Sequence, residues 1–242
     1  MSKIYVIGTG PGNRENMTEA CLAYLQAADI IIGYTGYISL VRPIYPDKEF
    51  YETFMMQEKE RCSKAIEFAS GGKIVCVVSS GDSGVYGMAG LIFELAGDNP
   101  VIDIEVIPGV TAALSGAALL GAPIGHDFAV ISLSDLLTPW KVIEKRLRAA
   151  AEGDFAICLY NPGSKKRTEQ LRIACDILLE QFPESRLCGI ARNIGREEQS
   201  INLLTLGELR ETQADMSTTI FIGNSQTKMI GGRMVSPRGY HI

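Results

Sequence analysis

The 242-residue sequence predicts an α/β protein of two α/β domains, with largely parallel sheets and a cleft between the domains. Three observations carry this reading. Short β-branched runs recur along the chain and most end in glycine or a small polar residue. Segments with helical spacing separate most of them, the signature of an α/β fold. The strand pattern also stops at GAPIG (121–125) and restarts with FAVISLS, four strand candidates lying on each side, so the predicted domains are 1–122 and 123–242.

The start, MSKIYVIGTG, reads as a first strand (4–8) and not as a signal peptide, because glycine interrupts the apolar run within a few residues. The turn Gly8-Thr9-Gly10-Pro11-Gly12 follows it and precedes a helical stretch, Met17 to Ala28. It is not a dinucleotide fingerprint, since Asn13 stands where G-x-G-x-x-G needs its third glycine, and no Gly-Lys-Ser/Thr ending makes it a phosphate loop. The turn suits close backbone approach to a ligand, or is simply a tight turn. A second strand, DIIIG (29–33), leads into Tyr34 to Arg61, whose aromatic first part reads either as a wall over a flat ligand or as a packing loop or dimer contact. EKERCSKAIEFAS (58–70) is a predicted helix.

The strand KIVCVVSSG (73–81) runs into Gly81-Asp82-Ser83-Gly84-Val85-Tyr86-Gly87, where glycines admit a ligand to the backbone and Asp82 and Tyr86 could orient it, or where Asp82 caps a helix. IDIEVIPG (102–109) ends in Pro108-Gly109-Val110-Thr111-Ala112. The apolar stretch from Val110 to Gly125 is too interrupted for the ~20 residues of a membrane span and reads as a buried helix. In the second half, FAVISLS (128–134) precedes a helix with Thr138 as N-cap, Pro139 at its first position and Gly153 as its stop. FAICLYN (155–161) precedes a helix from Ser164 to Phe182 with Leu171, Ala174, Cys175 and Leu178 on one stripe. LCGIARN (187–193) and TTIFIGN (218–224) complete the strands. Ligands of such sheets bind outside the carboxyl ends of the strands, where these glycine turns fall.

Composition narrows the function. A net charge of −5 argues against a nucleic-acid binder working through a broad basic face. Six cysteines with no C-x-x-C pair and only two histidines, His126 and His241, predict buried thiols of a cytoplasmic protein and no resident metal site. Glycine makes up 25 of 242 residues, above the usual ~7%, and several of these glycines fall at strand ends.

The order GTGPG, GDSGVYG, PGVTAALSGAA resembles the tetrapyrrole methylase family. That resemblance implies a fold outside the common Rossmann-like methyltransferases, S-adenosyl-L-methionine as cofactor and a tetrapyrrole substrate, with or without chelated cobalt. His126-Asp127-Phe128, SLSDLLTPW (132–140), LYNPGSKKR (159–167), ARNIGR (191–196) and SPRGY (236–240) are similar to members that methylate C17 of a corrin precursor with ring contraction. Ser83 departs from the proline usual in the family's G-D-P turn, which is expected to loosen that turn. Alternatives are methylation at C11 or C20, against which SLSDLLTPW and YNPGSKKR argue, and a non-catalytic adenosine-nucleotide module.

Carried over residue by residue, the resemblance implies cofactor contacts at Gly10, Pro11, Gly81, Asp82, Val85, Tyr86, Thr111 and Ala112, and in the second domain at Tyr160, Ala191 and Thr219. Ring contraction needs acid–base help, for which His126, Asp127, Ser132, Ser134 and Asp135 are the candidates, Ser132 and Ser134 sharing one face of a strand that His126 enters. A carboxylate-rich substrate on an acidic protein needs local cations, and Arg42, Lys165, Lys166, Arg167, Arg192, Arg196 and Arg238 form the pool. Lys165 to Arg167 sit at a predicted helix start, where the dipole disfavours them. A homodimer is expected by analogy with related methylases, and no membrane or nucleic-acid partner.

Overall fold

The computed structural model describes residues 2–240, so His241 lies outside the described residues. The chain falls into two compact units, Met1–Ala112 and Ala113–Ile242, ten residues ahead of the expected boundary.

In chain order the first unit contains β1 (Ser2–Gly8), a 3-10 turn (Arg14–Asn16), α1 (Glu19–Ala27), β2 (Ile30–Tyr34), α2 (Thr35–Val41), β3 (Glu49–Thr53), α3 (Glu58–Ser70), β4 (Ile74–Ser79), α4 (Ala89–Ala96) and β5 (Ile102–Ile107). Its sheet is wholly parallel, in the order β3-β2-β4-β1-β5. The continuous apolar runs follow from burial on both faces. Ile4, Val6, Ile30, Ile32, Val75 and Val77 pack against Cys62, Ala65 and Ala69 of α3 and Ile92 of α4. The alternate residues Ile7, Ile31, Cys76 and Val78 pack against Cys21 and Leu25 of α1 and Ile38 and Val41 of α2. Thr18 caps α1, its Oγ1 accepting from the Cys21 N–H at 3.1 Å, and Lys48 Nζ donates to the Ala28 carbonyl just past the helix end at 2.8 Å.

The second unit opens with α5 (Ala112–Leu120) and continues with β6 (Gly121–Ala122), β7 (Phe128–Ser132), α6 (Trp140–Glu152), β8 (Ala156–Tyr160), α7 (Gln170–Leu179), β9 (Leu187–Arg192), β10 (Ser200–Thr205), α8 (Leu206–Arg210), β11 (Thr218–Ile222), β12 (Lys228–Ile230) and β13 (Arg233–Val235). Helix α5 packs close on this unit: a Cβ at Gly116 would lie 2.8 Å from the Phe221 ring, and one at Gly189 would lie 2.7 Å from Leu120. This contact explains why the division falls at the first residue of α5. The helix is only part-buried, Leu114 and Ala118 being exposed, against the expectation of a buried one.

Its main sheet, β10-β9-β11-β8-β7, corrects the expectation of largely parallel sheets. Only β7 and β8 pair in parallel, whereas β11 runs antiparallel to both β8 and β9, and β10 antiparallel to β9. Ile143, Leu147 and Ala151 of α6 and Leu171, Ala174, Cys175 and Leu178 of α7 are buried against this sheet. Helix α6 begins one residue late, with Pro139 as N-cap and Gly153 as C-cap. The segment from Ser164 is not helical until Gln170, because Ser164 and Arg167 close a tight turn through reciprocal main-chain hydrogen bonds of 2.9 and 3.1 Å. A third sheet, β12-β13-β6, contains a hairpin whose two turn residues, Gly231 and Gly232, have φ of 56° and 74°, the left-handed pair that a type I′ turn requires.

Candidate active site

In the first unit, β4, β1 and β5 are neighbours, so the loops that leave their carboxyl ends meet. They meet at backbone contact. A Cβ on Gly8 would lie 2.6 Å from the Gly81 carbonyl oxygen and 2.7 Å from the Gly109 nitrogen; one on Gly109 would collide with both the Gly81 and the Gly8 carbonyl oxygens. Gly10 and Gly81 exchange hydrogen bonds of 3.0 and 2.7 Å, each in the left-handed region at φ of 72° and 69°, which glycine adopts without the penalty a side chain meets. Asp82 ties the loops together. Its Oδ1 accepts from the Gly84 N–H at 2.8 Å and its Oδ2 from the Gly109 N–H at 2.9 Å. It therefore closes a turn and bridges to the next strand end, and does not cap a helix, since α4 begins only at Ala89.

Around this interlock stand the other expected contacts. Pro11 is buried and Val85 half-buried. Tyr86 is exposed with φ of 54°, and the Thr111 Cα lies 3.6 Å from where a Gly81 Cβ would stand. Ser83 corrects an expectation. It is fully buried and its hydroxyl donates to the Val6 carbonyl at 3.0 Å, fastening the loop to β1 where a looser turn was expected. No sequence motif announced this role.

In the second unit the strand directions gather Ser132, Tyr160, Ala191, Arg192, Thr218 and Thr219 at one sheet edge, because Ser132 is paired with Tyr160 and Ala191 with Thr219. Tyr160, Ala191 and Thr219, three of the expected contacts, thus share an edge. The Tyr160 hydroxyl accepts from the Ala113 N–H in the first turn of α5 at 2.7 Å. Asn161 and Asn193, directly after β8 and β9, take left-handed φ of 53° and 51°, a conformation asparagine tolerates better than most residues. Asn161 Nδ2 donates to Ser132 Oγ at 2.9 Å, and the same hydroxyl accepts from the Ser134 N–H at 3.2 Å.

The five residues expected to act together do not form one cluster. Ser132, Ser134 and Asp135 lie at the carboxyl end of β7, where Asp135 Oδ2 accepts from Gln170 at 3.4 Å, but Ser134 already lies beyond the strand. His126 and Asp127 precede Phe128, which is paired with Ala156 at the opposite end. Five strand residues at ~3.3 Å each separate Asp127 from Ser132 by about 16 Å. Neighbours in sequence became opposite ends because the strand between them is straight.

Of the expected cations, Arg42 pairs with Glu52 at 3.0 Å and lies over the Phe50 ring. Lys165 and Lys166 are exposed at the tip of the Ser164–Arg167 turn. Arg167 turns inward. It is buried and donates to the carbonyls of Leu133 and Asn161 and to Met216 Sδ, which corrects its placement at a helix start. Arg192 pairs with Asp215 at 2.8 Å. Burial works against ionising Asp215, but hydrogen bonds from Thr218, the Ser217 N–H and Arg192 outweigh it and hold that carboxyl below its usual range. Arg196 follows Asn193 in a turn, its N–H donating to the Asn193 carbonyl, and Arg238 donates to the Gly125 carbonyl at 3.2 Å, on the His126 side of β7.

The chain, a parallel sheet with three interlocked glycine loops followed by a mixed five-stranded unit, belongs to the tetrapyrrole (corrin/porphyrin) methylases, whose family model matches residues 3–210. Over 236 residues it is 46% identical to a probable cobalt-factor III C(17)-methyltransferase of Salmonella typhimurium, spanning 97% of this chain and 98% of that one. A precorrin-3B C(17)-methyltransferase of a Sinorhizobium species is 40% identical, with 94% and 91% covered. Among solved structures, that of the methyltransferase CobJ superposes with a TM-score of 0.91 at 38% identity, over 98% of this chain and all of that one.

Proposed function

We propose that this protein transfers a methyl group from S-adenosyl-L-methionine to C17 of a corrin precursor, cobalt-factor III, cobalt-precorrin-3 or precorrin-3B, with ring contraction, in cobalamin biosynthesis. The observation that carries the reading is the end-to-end likeness to relatives named for C17 methylation. The interlocked loops suit the cofactor, since glycines whose would-be Cβ strikes neighbouring backbone let three strand-end loops converge at the carboxyl edge of the sheet, where ligands of such sheets bind. When bound, S-adenosylmethionine supplies a methyl already activated by its sulfonium. The residues assigned to hold it are Gly10, Pro11, Gly81, Asp82, Val85, Tyr86, Thr111 and Ala112, with Tyr160, Ala191 and Thr219 as further contacts in the second unit. Their work is positioning and exclusion of water, which can supply most of the acceleration of a displacement on an activated methyl.

Acid–base help to ring contraction is assigned to Ser132, Ser134 and Asp135, which share the sheet edge with Tyr160; His126 and Asp127 drop out of that group. Arg42, Lys165, Lys166, Arg192, Arg196 and Arg238, with Arg167 buried beneath, are the candidate partners of substrate carboxylates. A homodimer is adopted by analogy and a cytoplasmic location from six buried thiols. No described helix is long and apolar enough to cross a membrane. Titration with S-adenosylhomocysteine in a calorimeter is expected to give saturable one-site binding per chain, and no detectable heat or displacement of labelled cofactor would overturn the assignment.

A further inference from the structure

Among the described residues Arg61 is buried to 4% exposure without a carboxylate in hydrogen-bond or ion-pair distance. Its Nε donates to Thr53 Oγ1 at 3.0 Å, its Nη2 to the Phe54 carbonyl at 3.1 Å and its Nη1 only to Met88 Sδ at 3.4 Å. A thioether is a weak acceptor, so the outer part of the guanidinium is poorly satisfied and its charge uncompensated. Burying a cation this way is costly; Arg186, by contrast, keeps Asp154 at 3.8 Å.

The surroundings give the charge a direction. Thr53 ends β3 at the carboxyl edge of the first sheet, and Met88 ends the loop that carries Asp82 and Tyr86. Directly beyond Thr53, Phe54, Met55 and Met56 are 73%, 51% and 75% exposed, an apolar run with no core to cover. An apolar platform beside a cation lacking its anion fits a ligand with a flat apolar body and carboxylate arms. The second unit repeats the construction at Arg167, with Met216 Sδ across its Nη2 and Leu136 and Leu137 exposed after β7.

We propose that Arg61 is a recognition residue for a carboxylate arm of the substrate, with Met88 as the displaceable group that covers its Nη1 until a carboxylate oxygen takes the thioether's place. The proposal rests on the tetrapyrrole reading above. A charge-assisted hydrogen bond is about twice as strong as a neutral one, and methionine's flexible side chain can swing aside, so the exchange is downhill. Nothing is bonded or oxidised in it.

Arg61→Met and Arg61→Lys test it, with KM for the corrin precursor, kcat, the Kd of S-adenosylhomocysteine and Tm all measured. The expected result is a KM raised about ten-fold or more in Arg61→Met, with the Kd of S-adenosylhomocysteine within two-fold of the parent, and partial recovery of KM in Arg61→Lys. Equal KM values in all three proteins would overturn the proposal, as would a loss of cofactor binding in step with KM, which marks a purely structural arginine. Should Arg61→Met fail to fold, Met88→Ala keeps the guanidinium and removes its cover. Its KM is expected to fall at least two-fold, and an unchanged or raised KM in the folded variant contradicts the proposal. Methyl transfer by the parent enzyme is scored separately, so failure of the C17 reading and failure of the Arg61 assignment give different results.

Discussion

Gly109→Ala is expected to lose S-adenosylhomocysteine binding by about a hundred-fold or more and to lower Tm by roughly 6–12 °C. The new Cβ would strike the carbonyl oxygens of Gly8 and Gly81, both main-chain atoms, so no rotamer change relieves the clash. Overpacking typically costs about 1–3 kcal/mol, and relief here means pulling β1 and β4 from β5, breaking the Asp82 bridge to the Gly109 N–H. About 3 kcal/mol in a chain of 242 residues corresponds to the Tm shift stated. Gly90→Ala is the control: Gly90 lies in α4 with nothing within 4 Å of its would-be Cβ, so alanine should stabilise by about 0.5–1 kcal/mol and leave binding alone. Calorimetry and thermal melts on the two variants check the pair; a Gly109→Ala protein that binds normally would show that the loops are not held by backbone contact.

Alkaline pH is expected to unfold the protein steeply. All six thiols are buried, and burial pushes Cys62 up to about 11 and Cys21, Cys158 and Cys175 up to about 12, with Cys76 and Cys188 raised further. The folded state keeps protons that an unfolded thiol releases above about 8.5. Stability is therefore complete below that pH and is lost as pH rises toward the folded values, by up to about 1.4 kcal/mol per pH unit for each thiol, or about 8 kcal/mol per unit for six. Against a typical total of about 5–15 kcal/mol, the protein should denature within one to two units above pH 9. Urea unfolding at pH 8.0, 8.75 and 9.5 measures the slope, and Cys158→Ala should reduce it by one proton. A flat profile over this range would show that the thiols reach solvent in the native state.

The strands that dominate the core were legible because burial on one or both faces demands β-branched runs: β1, β2, β4, β5, β7, β8, β9 and β11 all coincide with them. β3 was not, because EFYET, an edge strand, carries Glu49 and Glu52 around only two aromatic residues and gives no apolar run. The β12–β13 hairpin carried a readable signal, Gly231-Gly232 between apolar residues, that was not used. Strand direction in the second sheet was hidden with β10, since only seven residues join β9 to β10, too few for a parallel crossover. The glycine loops were readable from their position at strand ends. The grouping of His126 with Ser132 failed because proximity along a strand is distance in space, and the roles of Ser83 and Arg61 depend on which backbone oxygens their side chains meet, which spacing does not encode.

The account's central claim is methyl transfer to C17. Its most direct test is to incubate the enzyme with cobalt-factor III, or with precorrin-3B in a parallel reaction, and S-adenosylmethionine carrying a 13C-labelled methyl group, then to locate the label by mass spectrometry and NMR. One labelled methyl at C17 of a ring-contracted product is the predicted result; a label at C11 or C20, or no transfer by a protein that binds S-adenosylhomocysteine, would contradict it.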